Sequence, residues 1–206
     1  MALNDYPRRT YYANTESPIK TSNTHFNNLQ ELKKVIFNNT DTTFTVDADA
    51  FYNCLTLESV TINGTENIKV KDRAFYNNIM LSEFNDLNKI TELGHSCFYG
   101  SALNEYKSNV KLKNIPELAF SKSSLSTVNL AGTPTDPAEL TSIDNSAFSN
   151  CYKLNTVHLP YALIKLGQNV FENTTLPCVH TTPAYADEKV LSPYGAVFNV
   201  YDDYTN

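Results

Sequence analysis

A sequence phrase that ends in phenylalanine recurs along this chain of 206 residues, and it restricts the fold more than any other feature. The phrase has an aliphatic residue, three variable residues, a small or medium-sized residue and then Phe. Successive phenylalanines are 22 to 28 residues apart. Seven phenylalanines recur in this way, and the full phrase precedes all of them except the first: Phe26, Phe51, Phe75, Phe98, Phe120, Phe148 and Phe171.

A second phrase, L-x-x-V-x-L in outline, begins five or six residues after each of these phenylalanines. Its V-x-L part alternates with period two, which predicts a short strand with one buried face. Two copies lose the last apolar residue, where Asp86 and Ser108 stand instead. The complete copies are Leu32–Val35–Phe37, Leu57–Val60–Ile62, Leu125–Val128–Leu130 and Leu154–Val157–Leu159, and the shortened ones are Leu81–Phe84, Leu103–Tyr106 and Leu176–Val179.

One unit of about 23 residues cannot bury its own apolar side, whereas stacked units share a continuous core. The small residue before Phe lets neighbouring backbones approach, and Phe fills the interior between coils. The two phrases therefore predict an α/β-type repeat solenoid of about seven coils. It is mostly β or irregular, with short parallel β-strands on one face, and it extends for roughly 30 Å at the usual strand spacing.

The combination of L-x-x-V-x-L with I-x-x-x-A-F-x-N-C, complete at residues 143–151, resembles the BspA-type leucine-rich repeat of bacterial surface proteins. The resemblance covers about residues 26–180. It departs from the pattern at Asp86, Ser108 and Lys122, so we expect a less regular core in coils three to five. The resemblance implies a curved solenoid used for protein binding or adhesion, without catalytic machinery.

The chain is predicted to have an N-terminal arm or cap over residues 1–25, the solenoid over 26–180 and a C-terminal cap over 181–206. Solenoid ends expose apolar core unless a cap covers them. The C-terminal segment has a candidate helical turn at 185–190 and an apolar-aromatic stretch at 194–201. The N-terminal segment contains three tyrosines that are candidate partner contacts, Tyr6, Tyr11 and Tyr12.

The one long interval between phenylalanines holds an inserted loop at residues 131–139, marked by two prolines and a glycine. Such loops on solenoids either lie on a binding face or are simply tolerated. Thr133 and Asp136 in this loop are further candidate partner contacts.

Charge and hydropathy exclude some classes of partner. The net charge of −6 and the pI near 5.2 argue against nucleic acid, which requires a basic surface. No stretch approaches the roughly 20 apolar residues of a membrane span. The first residues lack the apolar core of a secretion signal, so either the chain is not exported by that route or its signal was removed.

The stretch 143–160 brings together residue types found in hydrolase active sites, namely Asp144, Ser149, Cys151 and His158. The repeat accounts for this set without catalysis, because Cys151 shares its position in the coil with Cys54. Four coils separate these two cysteines by about 19 Å at strand spacing, too far for a disulfide. No C-x-x-C pair occurs, so the cysteines are interpreted as buried structural thiols.

His158 and His180 occupy equivalent strand positions in consecutive coils and should lie about 5 Å apart on the exposed sheet face. Two imidazoles without a third ligand make a poor metal site, so we predict neither a metal nor a cofactor. The rest of this face is a mixed polar surface without an aromatic cluster, and a solvated face is as compatible with it as a recognition face. The predicted outward rows are Lys34, Ser59, Glu83, Glu105, Thr127, Thr156 and Cys178, and Ile36, Thr61, Asn85, Lys107, Asn129, His158 and His180.

Two functional hypotheses remain open from the sequence. The first is a non-enzymatic protein-binding or adhesion module on a bacterial surface, with host cell-surface proteins as partners. The alternative is a structural or host-attachment subunit of a larger assembly, such as a phage virion or surface fibre, bound to other subunits. An enzyme is disfavoured because no G-x-S-x-G, H-E-x-x-H, phosphate loop or paired-carboxylate arrangement occurs.

Overall fold

The computed structural model describes residues 26–39, 41–132, 135–160 and 162–176 in full. It also gives the backbone of three terminal strands, β1 (Thr10–Asn14), β14 (Cys178–Thr181) and β15 (Val197–Val200). The helical turn predicted at 185–190 lies outside the described residues. In the described part, a unit of two strands and a turn repeats along the chain and stacks into a solenoid.

The first strand of each coil coincides with the L-x-x-V-x-L phrase, as predicted, because alternate apolar side chains point into the core. These strands pair in parallel with their counterparts in neighbouring coils. They are β2 (Lys34–Asn38), β4 (Ser59–Asn63), β6 (Glu83–Phe84), β8 (Glu105–Lys107), β10 (Thr127–Asn129) and β12 (Thr156–His158).

A second parallel ladder, which the sequence analysis did not predict, runs along another side of the solenoid. Its strands contain the aliphatic residue that opens the phenylalanine phrase, such as Val46 and Val70. They are β3 (Thr43–Val46), β5 (Asn67–Val70), β7 (Ile90–Leu93), β9 (Asn114–Ile115), β11 (Ser142–Ile143) and β13 (Lys165–Leu166).

Each coil is counted from its recurring phenylalanine through its two strands. Five turns of the chain lead from β2 to β12, and six coils have both strands among the described residues. The seventh has Phe171 and β14 but no second strand in that part of the chain. The predicted count of about seven is therefore slightly too high for complete coils.

Left-handed backbone conformations shape the turn that carries each recurring phenylalanine. The residue two positions after Phe has a positive φ of 55° to 70° in every coil, and it is usually Asn because Asn tolerates this conformation. The residue two positions before Phe is also left-handed in six coils, which was not predicted. The positions after Phe are Asn28, Asn53, Asn77, Gly100, Lys122, Asn150 and Asn173.

The core is a column of the seven recurring phenylalanines, stacked face to face. Ring centroids of successive residues are 5.1 to 5.8 Å apart, with interplanar angles of 1° to 19°. The small or medium-sized residue before each of the last six phenylalanines, such as Ala74 or Cys97, is fully buried. Offset stacking contributes beyond burial itself, by about 0.5–1.5 kcal/mol per pair, so the column couples neighbouring coils.

Coil three is less regular than its neighbours, as predicted from Asp86. Asp86 has a φ of 67° and precedes a 3-10 turn at Leu87–Lys89 between β6 and β7, and β6 has only two residues. In coil four, Ser108 is buried and donates its backbone N–H to Asn129 O at 2.9 Å. β8 has three residues, as β10 and β12 do, so Ser108 does not shorten this strand. In coil five, Lys122 takes the same left-handed conformation as the Asn residues at this position, so its turn is regular.

The terminal strands extend the first ladder at both ends. β1 pairs in parallel with β2, and β15 pairs in parallel with β14. β1 lies in the segment predicted to be an arm or cap, and β15 lies in the segment predicted to be the C-terminal cap. The capping role of the two segments stays a prediction.

Candidate functional site

Three tyrosines form a stacked row along the edge of the solenoid where the turns lie. Each follows a recurring phenylalanine directly, so the turn directs Phe inward and Tyr outward. The ring centroids of Tyr52 and Tyr76 are 5.0 Å apart, and those of Tyr76 and Tyr99 are 4.7 Å apart, with planes within 9° of parallel. All three side chains are half-buried. We call these three residues the tyrosine strip.

A lysine covers one end of the tyrosine strip. The Nζ atom of Lys122 lies 5.4 Å from the ring centroid of Tyr99, within range of a cation–π interaction. A hydrogen bond with Tyr99 and the charge of that phenol raise the pKa of Lys122, so this lysine stays cationic. Partial burial, followed by repulsion from Tyr99 and Tyr52, raises the pKa of Tyr76. Tyr76 therefore stays protonated, and the positive charge of Lys122 lies at the Tyr99 end of the strip.

Carboxamides follow the tyrosines in the turn. Asn77 Nδ2 donates to Asn53 Oδ1 at 3.0 Å, so this hydrogen bond links the turns that carry Tyr52 and Tyr76. Ile79 and Met80 follow Tyr76 by three and four residues in the sequence, and they are 52% and 50% exposed. The same coil thus presents two consecutive large apolar side chains to solvent.

The exposed face of the first ladder has the composition that the sequence predicted. The registers place Lys34 beside Ser59 and Ile36 beside Thr61 in the first coils. In the later coils, Lys107, Asn129 and His158 are successive partners. Asn85 lies just after β6 and donates Nδ2 to Thr61 Oγ1 at 3.2 Å. This face is polar, of mixed charge and without an aromatic row among the described side chains.

His158 and His180 are register partners on β12 and β14, as predicted from the repeat. His158 is half-buried, and the side chain of His180 lies outside the described part of the chain. In that described part, no group of three or more His, Cys, Asp or Glu residues could hold a metal ion. The pair therefore remains a pair of histidines on a polar sheet face.

Three of the four residues of the apparent active site at 143–160 make contacts that hold coils together. Asp144 Oδ1 accepts from Lys165 Nζ at 2.9 Å. Ser149 is buried, with its Oγ 3.0 Å from Ser121 Oγ. Cys151 is fully buried and donates to Phe120 O at 3.1 Å.

The described cysteines are free buried thiols, which confirms the interpretation from the repeat. Desolvation raises the pKa of Cys54 and of Cys151 to about 11, and it raises the pKa of Cys97 further. A thiol must ionise to act as a nucleophile, so these three are chemically inert in the folded chain.

The predicted partner contacts fall only partly within the described residues. Tyr6 and Thr133 lie outside them, and Tyr11 and Tyr12 are described only as backbone of β1. Asp136 is exposed in the inserted loop, which an antiparallel bridge between Gly132 and Pro137 closes. These contacts remain predictions.

The tyrosine strip is the feature that the sequence analysis missed. Its signal was present as three Phe-Tyr pairs at repeat spacing, at residues 51–52, 75–76 and 98–99. The residue after Phe was treated as variable because later coils have serine there, at Ser121 and Ser149. Only the geometry of the turns shows that these side chains stack outside the core.

Comparison with known families gives a match over most of the chain. The model of the BspA type leucine rich repeat region matches six copies, over residues 19–137 and 133–186. No protein of curated function matches the chain. Within the described residues, no helix has the length and apolar character needed to cross a membrane.

Two solved structures resemble the solenoid. A leucine rich cell surface protein from Faecalibacterium prausnitzii A2-165 is 26% identical, with a TM-score of 0.61 over 73% of this chain and 39% of its own. A leucine-rich repeat protein from Bacteroides ovatus ATCC 8483 is 19% identical and shares the fold, with a TM-score of 0.52 over 85% of this chain and 38% of its own. The chain thus spans about two-fifths of the length of each.

Proposed function

Because the chain belongs to the BspA-type leucine-rich repeat proteins, we propose that it is a non-enzymatic protein-binding module whose contact surface is the tyrosine strip. The observation that carries the proposal is the stacked outer row of Tyr52, Tyr76 and Tyr99, with the exposed Ile79 and Met80 in the coil that follows Tyr76.

The composition of the turn edge favours a protein partner. Interfaces are enriched in Tyr and Met and depleted in Lys, Glu and Asp at their centres. Tyr with Asn, Ser and Gly is also the composition of antibody paratopes, where rigid rings supply contact area and small polar groups supply adaptable hydrogen bonds. The strip, with Asn53, Asn77 and Gly100 beside it, has this composition. Stacking fixes the rings before binding, which lowers the entropy lost on association.

The sheet face is a less favourable contact surface. Its rows combine Lys34, Glu83, Glu105 and Lys107 with Ser, Thr and Asn. Solvated charges of mixed sign contribute little to affinity at an interface rim and must lose water to enter its centre. The strip itself consists of aromatic rings and hydroxyl groups; the charge of Lys122 lies at its Tyr99 end, and Arg73, paired with Asp49, lies near Tyr52.

We further propose that the module serves adhesion on a bacterial surface. The family and the cell surface protein from F. prausnitzii support this localisation. Because the chain spans about two-fifths of that protein, the display and the partner are proposals for this chain. The alternative of a virion or fibre subunit has no support from these relatives.

Binding to a panel of immobilised proteins tests the proposed function. The panel contains fibronectin, laminin, collagen and purified host cell-surface ectodomains, and interferometry measures the full chain against each. The test variant combines Tyr52→Ser, Tyr76→Ser and Tyr99→Ser, because Ser occupies the same position in later coils. The matched control combines Glu83→Ser, Glu105→Ser and Lys107→Ser on the sheet face.

We expect saturable binding to at least one panel protein. The tyrosine variant should lose affinity at least about tenfold, while the sheet-face control stays within about twofold. If the tyrosine variant binds with the affinity of the wild-type chain and the sheet-face control loses affinity, the contact surface is the sheet face and not the tyrosine strip. Absence of saturable binding to every panel protein would contradict protein binding by this module.

A further inference from the structure

Both parallel ladders are interrupted at the same point of the solenoid. On the first side, β6 pairs with β4, and β8 pairs with β10, but β6 and β8 do not pair with each other. On the second side, β7 pairs with β5 and β9 with β11, and again the neighbours β7 and β9 are unpaired. All these strands lie within the described residues 41–143. The other described neighbours of coils two to six are paired in both ladders.

Bulky side chains explain the interruption. The middle apolar position of L-x-x-V-x-L is Val in the coils on either side, but it is Phe84 in coil three and Tyr106 in coil four. Phe84 packs edge-on against Phe98 at 5.7 Å, and the Tyr106 ring tilts against Phe120 at 4.5 Å. Two successive rings that do not stack require more room than the roughly 4.8 Å between paired strands.

Unsatisfied polar atoms lie at the same junction. Among the described residues, three buried side-chain atoms lack a hydrogen-bond partner: Asn78 Nδ2, Ser101 Oγ and Tyr106 Oη. Asn78 and Ser101 lie in the segments that lead into β6 and β8, and Tyr106 lies in β8. Buried polar groups without partners destabilise the closed arrangement, because each loses hydrogen bonds to water.

The turn around Phe98 stays bonded on both sides of the junction. Phe75 N donates to Cys97 O at 2.8 Å, and Phe98 N donates to Ala119 O at 2.8 Å. The Phe98 ring also stacks on Phe75 and Phe120, at 5.2 and 5.5 Å. This turn links β7 to β8 covalently, and the backbone hydrogen bonds named above lie along this edge. Away from the edge, Asn109 Nδ2 after β8 donates to Asn88 O between β6 and β7 at 2.6 Å, and opening would break this side-chain hydrogen bond.

We propose that the solenoid bends at this junction, with the turn around Phe98 as the hinge. Coils one to three move as one unit, and the coils from β8 onward move as the other. Opening parts the two interrupted ladders and leaves the turn edge intact. The polar atoms at the junction then reach water, which offsets part of the cost of exposing apolar surface. The exposed sheet face changes its curvature, while the tyrosine strip keeps its geometry.

NMR-detected hydrogen exchange on the full chain tests the hinge with a matched pair of variants. Val60→Ala and Val128→Ala remove the same groups from the same fully buried position, one in each unit. If the units open independently, Val60→Ala speeds exchange at least about tenfold in β4 and β5 and less than twofold in β10 and β12. Val128→Ala gives the converse pattern.

The amides of Phe75 and Phe98 report on the hinge itself. They should stay as protected in the wild-type chain as the Phe120 amide, because bending leaves the turn edge bonded. If either variant speeds exchange equally in both units, the solenoid is one cooperative body and the hinge is refuted. If a variant does not fold, hydrogen exchange of the wild-type chain in low urea gives the free energy of opening for each unit. The proposal predicts two different opening free energies, one for each unit. A single opening free energy for all strands overturns it.

Discussion

Replacing Phe98 by Leu tests whether the phenylalanine column is the main source of stability. Phe98 is fully buried, and its ring stacks on one neighbour at 5.2 Å and on another at 5.5 Å. Phe84 also packs edge-on against this ring at 5.7 Å. Leu keeps the site apolar but removes three aromatic pairs, each contributing about 0.5–1.5 kcal/mol. The smaller side chain also leaves a small cavity, which adds about 1 kcal/mol. We expect a loss of about 2.5–5.5 kcal/mol in the free energy of unfolding.

Replacing the next residue, Tyr99, by Ser provides the comparison. Tyr99 is half-buried and has one aromatic neighbour, Tyr76, at 4.7 Å. Loss of that pair costs about 0.5–1.5 kcal/mol, and Ser brings no strain because it occupies the same position in later coils. Urea unfolding followed by far-UV circular dichroism measures both variants. If Tyr99→Ser lowers the free energy of unfolding as much as Phe98→Leu does, the distinction between an inner core column and an outer contact row is refuted.

Three further predictions concern the thiols, the turn and a surface ion pair. Burial raises the pKa of Cys54 and Cys151 to about 11, so folding favours their protonated form. The free energy of unfolding should therefore fall as the pH rises from about 8.5, where an unfolded thiol ionises, towards 11. A urea midpoint that stays flat or rises over this range would contradict the assignment. Leu118 adopts a φ of 57°, a left-handed conformation that costs a non-glycine residue about 1–2 kcal/mol. Asn tolerates this conformation, so Leu118→Asn should raise the thermal unfolding midpoint. A lower midpoint would show that the packing of the Leu118 side chain outweighs the backbone strain. Arg73 makes a two-pronged contact with Asp49 at 2.8 Å on the surface, and Arg73→Gln should change the free energy of unfolding by less than about 1 kcal/mol; a larger loss would mean that the pair is structural.

The stacked fold was predictable because the same pattern of core residues occurs in every coil. Each coil presents Leu, an apolar middle residue and Phe in the same phase, so a single ambiguous coil could not change the result. The second ladder was missed although Phe44–Val46 and Ile68–Val70 alternate with period two. In later coils its strands shrink to two residues, such as Asn114–Ile115, and such a short strand leaves no periodic pattern.

Other features depended on three-dimensional packing. The left-handed conformation of Leu118 is imposed by its neighbours, since Leu has no preference for it. Asp86 and Ser108 predicted irregular coils, but the joint interruption of both ladders arises from how Phe84 and Tyr106 pack between coils. The tyrosine strip required knowledge of which turn residues point outward and how closely successive coils approach.

Hydroxyl-radical footprinting of the complex with a bound panel protein tests the proposed contact surface most directly. The method reports the solvent exposure of individual Tyr and Met side chains in the free and the bound chain. The proposed surface predicts protection of Tyr52, Tyr76, Tyr99 and Met80 on binding, with unchanged reactivity on the sheet face around His158. Protection of His158 and its sheet neighbours, with the tyrosines still reactive, would contradict it.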